Sequence, residues 1–408
     1  MLSNKFLNQA VSNEKSVQKH YLFLKQLMPH FNNLIARIPT HELNSHTVLL
    51  MGPKQLQARV TAALGLADEG HKATAIAGLG AGLAALDAPQ QQALVTAALG
   101  LTDEAYKDLA ITGLGAGLAA LDAPQQQALV TAALGLADQW SKADAIAGLG
   151  AGLAALDAPQ QQALVTAALG LTDERHKAYA IAGLGAGLAA LDAPQQQALV
   201  TAALGLTDER LKARAIKGLG AGLAALDAPQ QQALVTAALG LTDERLKARA
   251  ITGLGAGLAA LDAPQQQALV TAALGLTDQW SKARAIAALG AGLAALDAPQ
   301  QQALVTAALG LVHDGHKARA IAGLGAGLAA LDAPQQQALV TAALGLTDEA
   351  YKDLAITGLG AGLAALDTPQ QQALVTAALG LTNERLKADA IARLIIKGYQ
   401  DSRVRDYL

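Results

Sequence analysis

The sequence predicts an all-α fold: a right-handed α-solenoid, or superhelix, of ten two-helix repeats with helical N- and C-terminal caps. Three observations carry that prediction. The stretch LDAPQQQALVTAALGLTDERLKARAIKGLGAGLAA, Leu191 to Ala225, recurs with small changes every 35 residues from about Met51 to Gln400, ten copies in all. Self-similarity at a fixed period between about 20 and 50 residues marks a stacked repeat array. The composition is 52% hydrophobic and only 3% aromatic, so Ala and Leu, both strong helix formers, carry the apolar content and the residues favoured in strands are scarce. Finally, each copy holds two helix-start signals a dozen or so residues apart.

Those signals define the repeat. In the copy from Leu191, Asp192 is an N-cap, Pro194 fits only in a first helical turn, and Gln195 completes a capping box. Helix A then presents Ala198, Leu199, Ala202, Ala203 and Leu206, and Gly205 sits where a C-terminal break is expected. Thr207 and Asp208 cap helix B, with Asp208 and Glu209 in its positively polarised first turn. Helix B is expected to run through Ala213, Ile216, Leu219 and Leu223 to the next LDAP. Gly218, Gly220 and Gly222 fall inside it, each costing about 1 kcal/mol against Ala in an exposed helix interior. Either helix B ends early near Gly220, or Gly218 and Gly222 form a smooth groove for a neighbouring helix. The second is the expectation, partly because Ala288 replaces the first Gly in one copy without other change. A phosphate-cradling GLGAG loop would need a preceding strand, which is absent from the pattern.

The ends differ from the array. Residues 1–15 are a polar tail, and residues 16–50 form a capping unit. There Tyr21, Leu24, Leu27, Met28, Phe31, Leu34 and Ile35 recur at helical spacing. Residues 51–400 are the array. Its tenth copy replaces the glycine pattern with Arg393, Leu394, Ile395, Ile396, Lys397, Gly398 and Tyr399, and residues 401–408 close it. The first 20 residues have no apolar core and no small-residue cleavage site, so they do not read as a secretory signal peptide.

Several function classes are disfavoured. With no cysteine there is no disulfide framework, thiolate zinc site or cysteine nucleophile. No apolar run approaches the roughly 20 residues of a membrane span. Residues 1–50 carry five basic and two acidic residues, whereas the repeats carry 23 basic and 29 acidic, which is not a surface built throughout to hold phosphates. A repeat supplies the same few side chains ten times, while catalysis needs unlike groups converging once. No catalytic residue, cofactor site or metal site is predicted. His313 and His316 are spaced i, i+3 but lack a third ligand nearby in sequence.

Variation between copies falls almost wholly on helix B. Its first variable position (offset 0) reads Gly70, Ala105, Trp140, Arg175, Arg210, Arg245, Trp280, Gly315, Ala350, Arg385. The next (offset 1) includes Tyr106, Ser141, His176, Leu211, His316 and Tyr351. Offset 4 reads Thr74, Leu109, Asp144, Tyr179, Arg214, Arg249, Arg284, Arg319, Leu354, Asp389, and offset 7 is mostly Ala or Thr but Lys217 in the fifth copy. Offsets 0, 4 and 7 share one helix face. A buried site would not accept Gly, Trp and Arg in turn, so the face is expected to be an exposed stripe. Trp140, Trp280, Tyr179 and the arginines are residue types enriched at interface hot spots. The substitutions also travel in linked cassettes, such as AYKDLAIT at 105–112 and 350–357, which whole-repeat duplication explains equally well. A Lys at offset 2, Lys72 through Lys387, never changes. It is expected to pair with the Asp four residues earlier.

TDERLKARAI followed by the spaced Leu pattern resembles bacterial α-solenoid repeats of the HEAT/TPR-like class. That resemblance implies a non-enzymatic protein-interaction scaffold. The polar, Ser-, Asn- and Lys-rich start resembles that of bacterial type III secreted effectors, which implies either a cytoplasmic location or delivery into a host cell. Near-identical repeats differing at a few positions also resemble TAL-effector arrays in their logic. Here, however, the Gly205-Leu206-Thr207 turn is nearly constant and variation begins inside helix B. The expected partner is a protein, bound by a monomer without membrane association. The contact residues are Tyr106, Trp140, Arg175, Tyr179, Arg210, Arg214, Lys217, Arg245, Arg249, Trp280, Arg284, Arg319 and Tyr351. The alternatives are nucleic acid on repeats 5–8, where 11 basic residues face 10 acidic, and a structural spacer.

Overall fold

The structure, a computed structural model, describes Val48, residues 51–383, Leu386 and Ala390. The segments expected to cap the array, 16–50 apart from Val48 and 393–408, and the tails beyond them lie outside the described residues. All regular structure among the described residues is helical, with ten copies of helix A and nine of helix B. These residues form two compact units, one ending at Leu269 and the other beginning at Val270, inside the helix Ala263–Gly275. Both are stacks of the same repeat.

The fifth repeat shows why the sequence folds this way. Helix A spans Ala193–Leu204. Asp192 Oδ1 accepts the Gln195 amide at 2.8 Å while Gln195 Oε1 accepts the Asp192 amide at 3.0 Å, the expected capping box. Helix B spans Glu209–Leu219, and Asp208 Oδ1 accepts the Arg210 amide at 2.7 Å. A 3-10 helix, Gly220–Ala225, follows, and Leu226 is extended before the next cap. Leu199, Val200, Ala203, Ala213, Ala215, Ile216, Leu219 and Leu223 are buried. Each large side chain among them contributes about 1.5–3 kcal/mol by leaving water. Helix B therefore ends earlier than its apolar spacing suggests, because the glycines that close it are needed for contact. Gly205 ends helix A as expected, with φ −77°, and the described residues have no positive φ. The turn between helices needs no special backbone.

Both glycine readings hold together. In the third repeat a Cβ on Gly148 would lie 2.7 Å from Thr112 Cβ, and one on Gly152 would lie 2.5 Å from Leu118 Cβ, both in the preceding repeat. A Cβ on Gly150 would lie 2.6 Å from the Gly183 carbonyl carbon in the following repeat. One glycine triplet thus touches the neighbours on both sides, and only hydrogen fits. The same pattern recurs at Gly218, Gly220 and Gly222.

Two polar seams run beside the glycines. In successive repeats the first Gln of QQQ donates to the third Gln of the preceding QQQ, as Gln195 Nε2 does to Gln162 Oε1 at 2.8 Å. The second Gln is buried in the central copies, where Gln196 Nε2 donates to the Leu188 and Leu191 carbonyls at 2.9 and 3.0 Å. On helix B, the Glu after the cap reaches the next turn: Glu174 accepts from Thr207 Oγ1 at 2.8 Å. The invariant lysines do not pair as expected. Among the described residues none of them forms an ion pair with the Asp four residues earlier, whose carboxylate caps helix B. Hydrogen bonds from the next turn (Thr102, Ala137 and Thr382 foremost) hold Glu69, Glu104 and Glu349 below the ordinary carboxylate range, with Lys72, Lys107 and Lys352, three residues on, adding a smaller attraction.

Candidate functional site

Because helices B stack through Gly at offset 8, the residue at offset 7 lies against the next helix, as Ala182 lies against Gly218. Most side chains at offsets 4 and 7 are consequently half-buried rather than exposed; Thr74, Lys217 and Arg319 are the exposed ones. The face expected to be a free stripe is narrower than its variability implied. Offset 0 stays open: Arg175, Arg210 and Arg245 are exposed, Trp140 is 46% exposed and Trp280 36%.

In the unit ending at Leu269 these side chains build a groove of about 460 Å³. Its floor is small: Ala147, Gly148, Ala182, Gly183 and Gly218. Its walls are Thr112, Asp144, Tyr179, Arg214, Lys217 and Arg249, contributed by five successive repeats. Beside it the Trp140 ring packs on Tyr179 at 5.2 Å between centroids and edge-on to His176 at 5.6 Å. On the other side of Tyr179, Arg214 Cζ sits 5.2 Å from the ring centroid, a cation–π contact. Burial, and then the hydrogen bond to Asp144, hold the Tyr179 phenol above its ordinary range, so it donates to that carboxylate. Trp140, Tyr179 and Arg214 thus form one ladder across three repeats. The groove is acidic at Asp144 and basic at Arg214, Lys217 and Arg249.

In the unit beginning at Val270, Arg284 Cζ lies 5.2 Å from the Trp280 ring centroid. Burial, and then the like charge of Arg319, pull the Arg284 guanidinium below its ordinary range. His313 replaces the capping Asp, its Nδ1 accepting the Gly315 amide at 3.1 Å. Its ring stands 4.8 Å from His316 and 5.8 Å from Tyr351. Among the described residues no three His, Cys, Asp or Glu side chains gather as a metal site, and no helix is long and apolar enough to cross a membrane.

Of the thirteen expected contact residues, Tyr179, Arg214, Lys217 and Arg249 line the groove and Trp140 packs beside it. Arg175, Arg210, Arg245, Trp280, Arg284 and Arg319 do not line it. Tyr106 and Tyr351 do something else. A Cβ on Gly70 would meet the Tyr106 ring at 3.2 Å, and one on Gly315 the Tyr351 ring at 2.9 Å. Glycine at offset 0 makes room for tyrosine at offset 1 of the next repeat, which gives the linked cassettes a packing cause. Asp144 and Thr112 were missed as contact residues, although an acid directly preceding Tyr179 and Arg214 in the offset 4 series was a usable signal.

Asp108 is a further departure. It occupies offset 3, where the other described copies apart from Asp353 carry a buried Ala, and it is itself buried. Burial, against a hydrogen bond to Ser141 and with repulsion from Asp144, raises its pKa to about 6. A folded-state pKa above the unfolded value of about 3.9 means stability is highest below that value and declines as pH rises through about 6. Asp108→Ala is therefore expected to raise the melting temperature at pH 7.5 by more than it does at pH 5. A difference independent of pH in paired thermal melts would refute this.

No protein family model matches the chain. No curated protein matches it either. Among solved structures it is similar to the karyopherin Kap121p bound to the SUMO protease Ulp1p, at 13% identity and a TM-score of 0.40, covering 88% of this chain and 43% of that one. Kap121p bound to Ste12p gives 13% identity and a TM-score of 0.41, with 88% and 42% covered. A homology model of the AP-3 complex gives 11% identity and a TM-score of 0.28, with 85% and 71% covered. The chain thus spans less than half of the Kap121p chains it matches.

Proposed function

We propose that this chain is a non-enzymatic scaffold that holds a protein partner against the helix B face. The observation that carries the proposal is the groove at Asp144, Tyr179, Arg214, Lys217 and Arg249, with the Trp140–Tyr179–Arg214 ladder beside it. It gathers aromatic and arginine side chains of the kind that anchor interfaces. The polar first 15 residues favour a bacterial effector acting inside a host cell. Modular reading of nucleic acid fits less well. One-base-per-repeat recognition needs repeats that act independently, whereas here offset 0 of one repeat packs on the next, as Trp140 does on His176 and Tyr179.

The test is a pulldown with the full chain as bait, run in parallel on host-cell and own-cell lysates. The expected result is a specific protein retained from host lysate and lost when Trp140→Ala, Arg214→Ala and Trp280→Ala are combined. Retention undiminished by the triple change would place the interface elsewhere. A partner found only in own-cell lysate would remove the effector reading while leaving the scaffold.

A further inference from the structure

Resting on that reading, we infer that the groove takes an extended peptide segment of mixed charge, its acidic residues over Arg214, Lys217 and Arg249 and a basic residue over Asp144. Three properties of the groove point to this ligand. The first is the floor. Ala147, Gly148, Ala182, Gly183 and Gly218 present almost no side chain, so a backbone can lie close to the helices. The walls come from five successive repeats, so an extended strand laid along the stack meets each of them in turn.

The second is like charge. Arg214 and Arg249 occupy the same offset in adjacent repeats, and Lys217 sits one helical turn beyond Arg214. Cations at this spacing on one groove favour carboxylates, which arginine can meet with parallel hydrogen bonds.

The third is opposite charge in the same groove. Asp144 stands two repeats before Arg214 and carries the Tyr179 hydrogen bond, with Asp108 on the preceding helix B. A phosphate backbone is negative at every step and would be repelled at that end. A peptide is not bound by this limit, because its side chains can change sign along its length.

Dimensions set the register. Packed helices lie roughly 8–10 Å apart, and an extended chain rises about 3.3 Å per residue, so one repeat corresponds to about three ligand residues. The ligand should therefore carry a Lys or Arg about six residues from its first Asp or Glu, with a second acidic residue about three further on.

The experiment selects from a random 12-residue displayed-peptide library on the immobilised full chain at 150 mM salt. A 12-nucleotide single-stranded DNA and the matching RNA are tested alongside by fluorescence anisotropy. The proposal expects enrichment of that charge pattern in that order. It also expects binding of the best synthetic peptide to fall at least tenfold in Arg214→Gln/Arg249→Gln, and the basic preference to give way to an acidic one in Asp144→Lys. Circular dichroism of each variant confirms that helix content is kept, and the pattern selected by the unsubstituted chain does not depend on the variants. Peptides without acidic enrichment whose binding still falls in the double variant would overturn the ligand class and leave the helix B interface standing. Peptides insensitive to both variants, or none selected, would overturn both. Oligonucleotide binding in place of peptide would overturn both in favour of nucleic acid.

Discussion

Gly150→Ala is expected to open the stack between the third and fourth repeats, while Gly135→Ala in the same repeat leaves stability unchanged or slightly higher. The Cβ added at Gly150 would lie 2.6 Å from the Gly183 carbonyl carbon and 2.9 Å from Leu184 Cα, so it meets main chain that cannot rotate away. Overpacking typically costs 1–3 kcal/mol when side chains can adjust; against backbone the cost should be at least the upper figure, about 3 kcal/mol. At Gly135, the last residue of its helix, an added Cβ has nothing within 4 Å. There the substitution restricts the unfolded chain and is worth about 0.4–1 kcal/mol of stability. Urea denaturation followed by circular dichroism gives both values. Hydrogen exchange should show the Gly150→Ala loss concentrated at amides of the helix Glu174–Leu184. Equal effects at the two glycines would contradict the packing argument.

Gln196→Leu is expected to cost about 1–3 kcal/mol, and Gln197→Leu less than about 1. The two residues are neighbours with the same chemistry, and only the environment separates them. Gln196 is buried and its amide serves two main-chain carbonyls, those of Leu188 and Leu191, where the 3-10 segment turns into the next repeat. Leucine fills similar space but strips the Leu191 carbonyl of its donor, at about 1–3 kcal/mol for a buried group, while the Leu188 carbonyl keeps the Leu191 amide at 3.1 Å. Gln197 is exposed, and its bonds to Thr201 and Gln230 have water as a substitute. Equilibrium denaturation of the two variants decides the matter. Similar losses would mean that the carbonyls find another donor.

The repeat unit was legible because its signals are local. The caps at Asp192 and Asp208 and the capping box at Gln195 act within one turn, and they appear as the pattern requires. What lies between repeats was harder to see, because it joins residues some 33 apart that look unremarkable alone. Only the capping role of Gln195 in the QQQ run is local enough to read; its first and third members also join successive repeats and its second closes the 3-10 turn. Variability at offsets 4 and 7 suggested open surface. Instead, most side chains there are half-buried between stacked helices, and it is at offsets 0 and 1 that residues of different size pair across repeats, as Gly70 does with Tyr106 and Gly315 with Tyr351. The groove was half visible: its aromatic and basic walls were named from residue type, but its acidic end was not.

Within each unit, the two edges of the stack differ mechanically. Along helix B, hydrogen-only glycines hold main chain against main chain, an edge that resists compression like a column of touching blocks. Along helix A, each step is tied by an amide-to-amide bond such as Gln195 to Gln162 or Gln230 to Gln197, which can lengthen a little and re-form. Such a stack yields by flexing, with the neutral line of the flexure on the glycine side. The groove floor includes Gly148, Gly183 and Gly218, which lie on that line. Thermal motion can therefore fan the opposite edge open and shut while the distance from Asp144 to Arg214 stays nearly constant, so the groove keeps its gauge as the rest of the stack breathes.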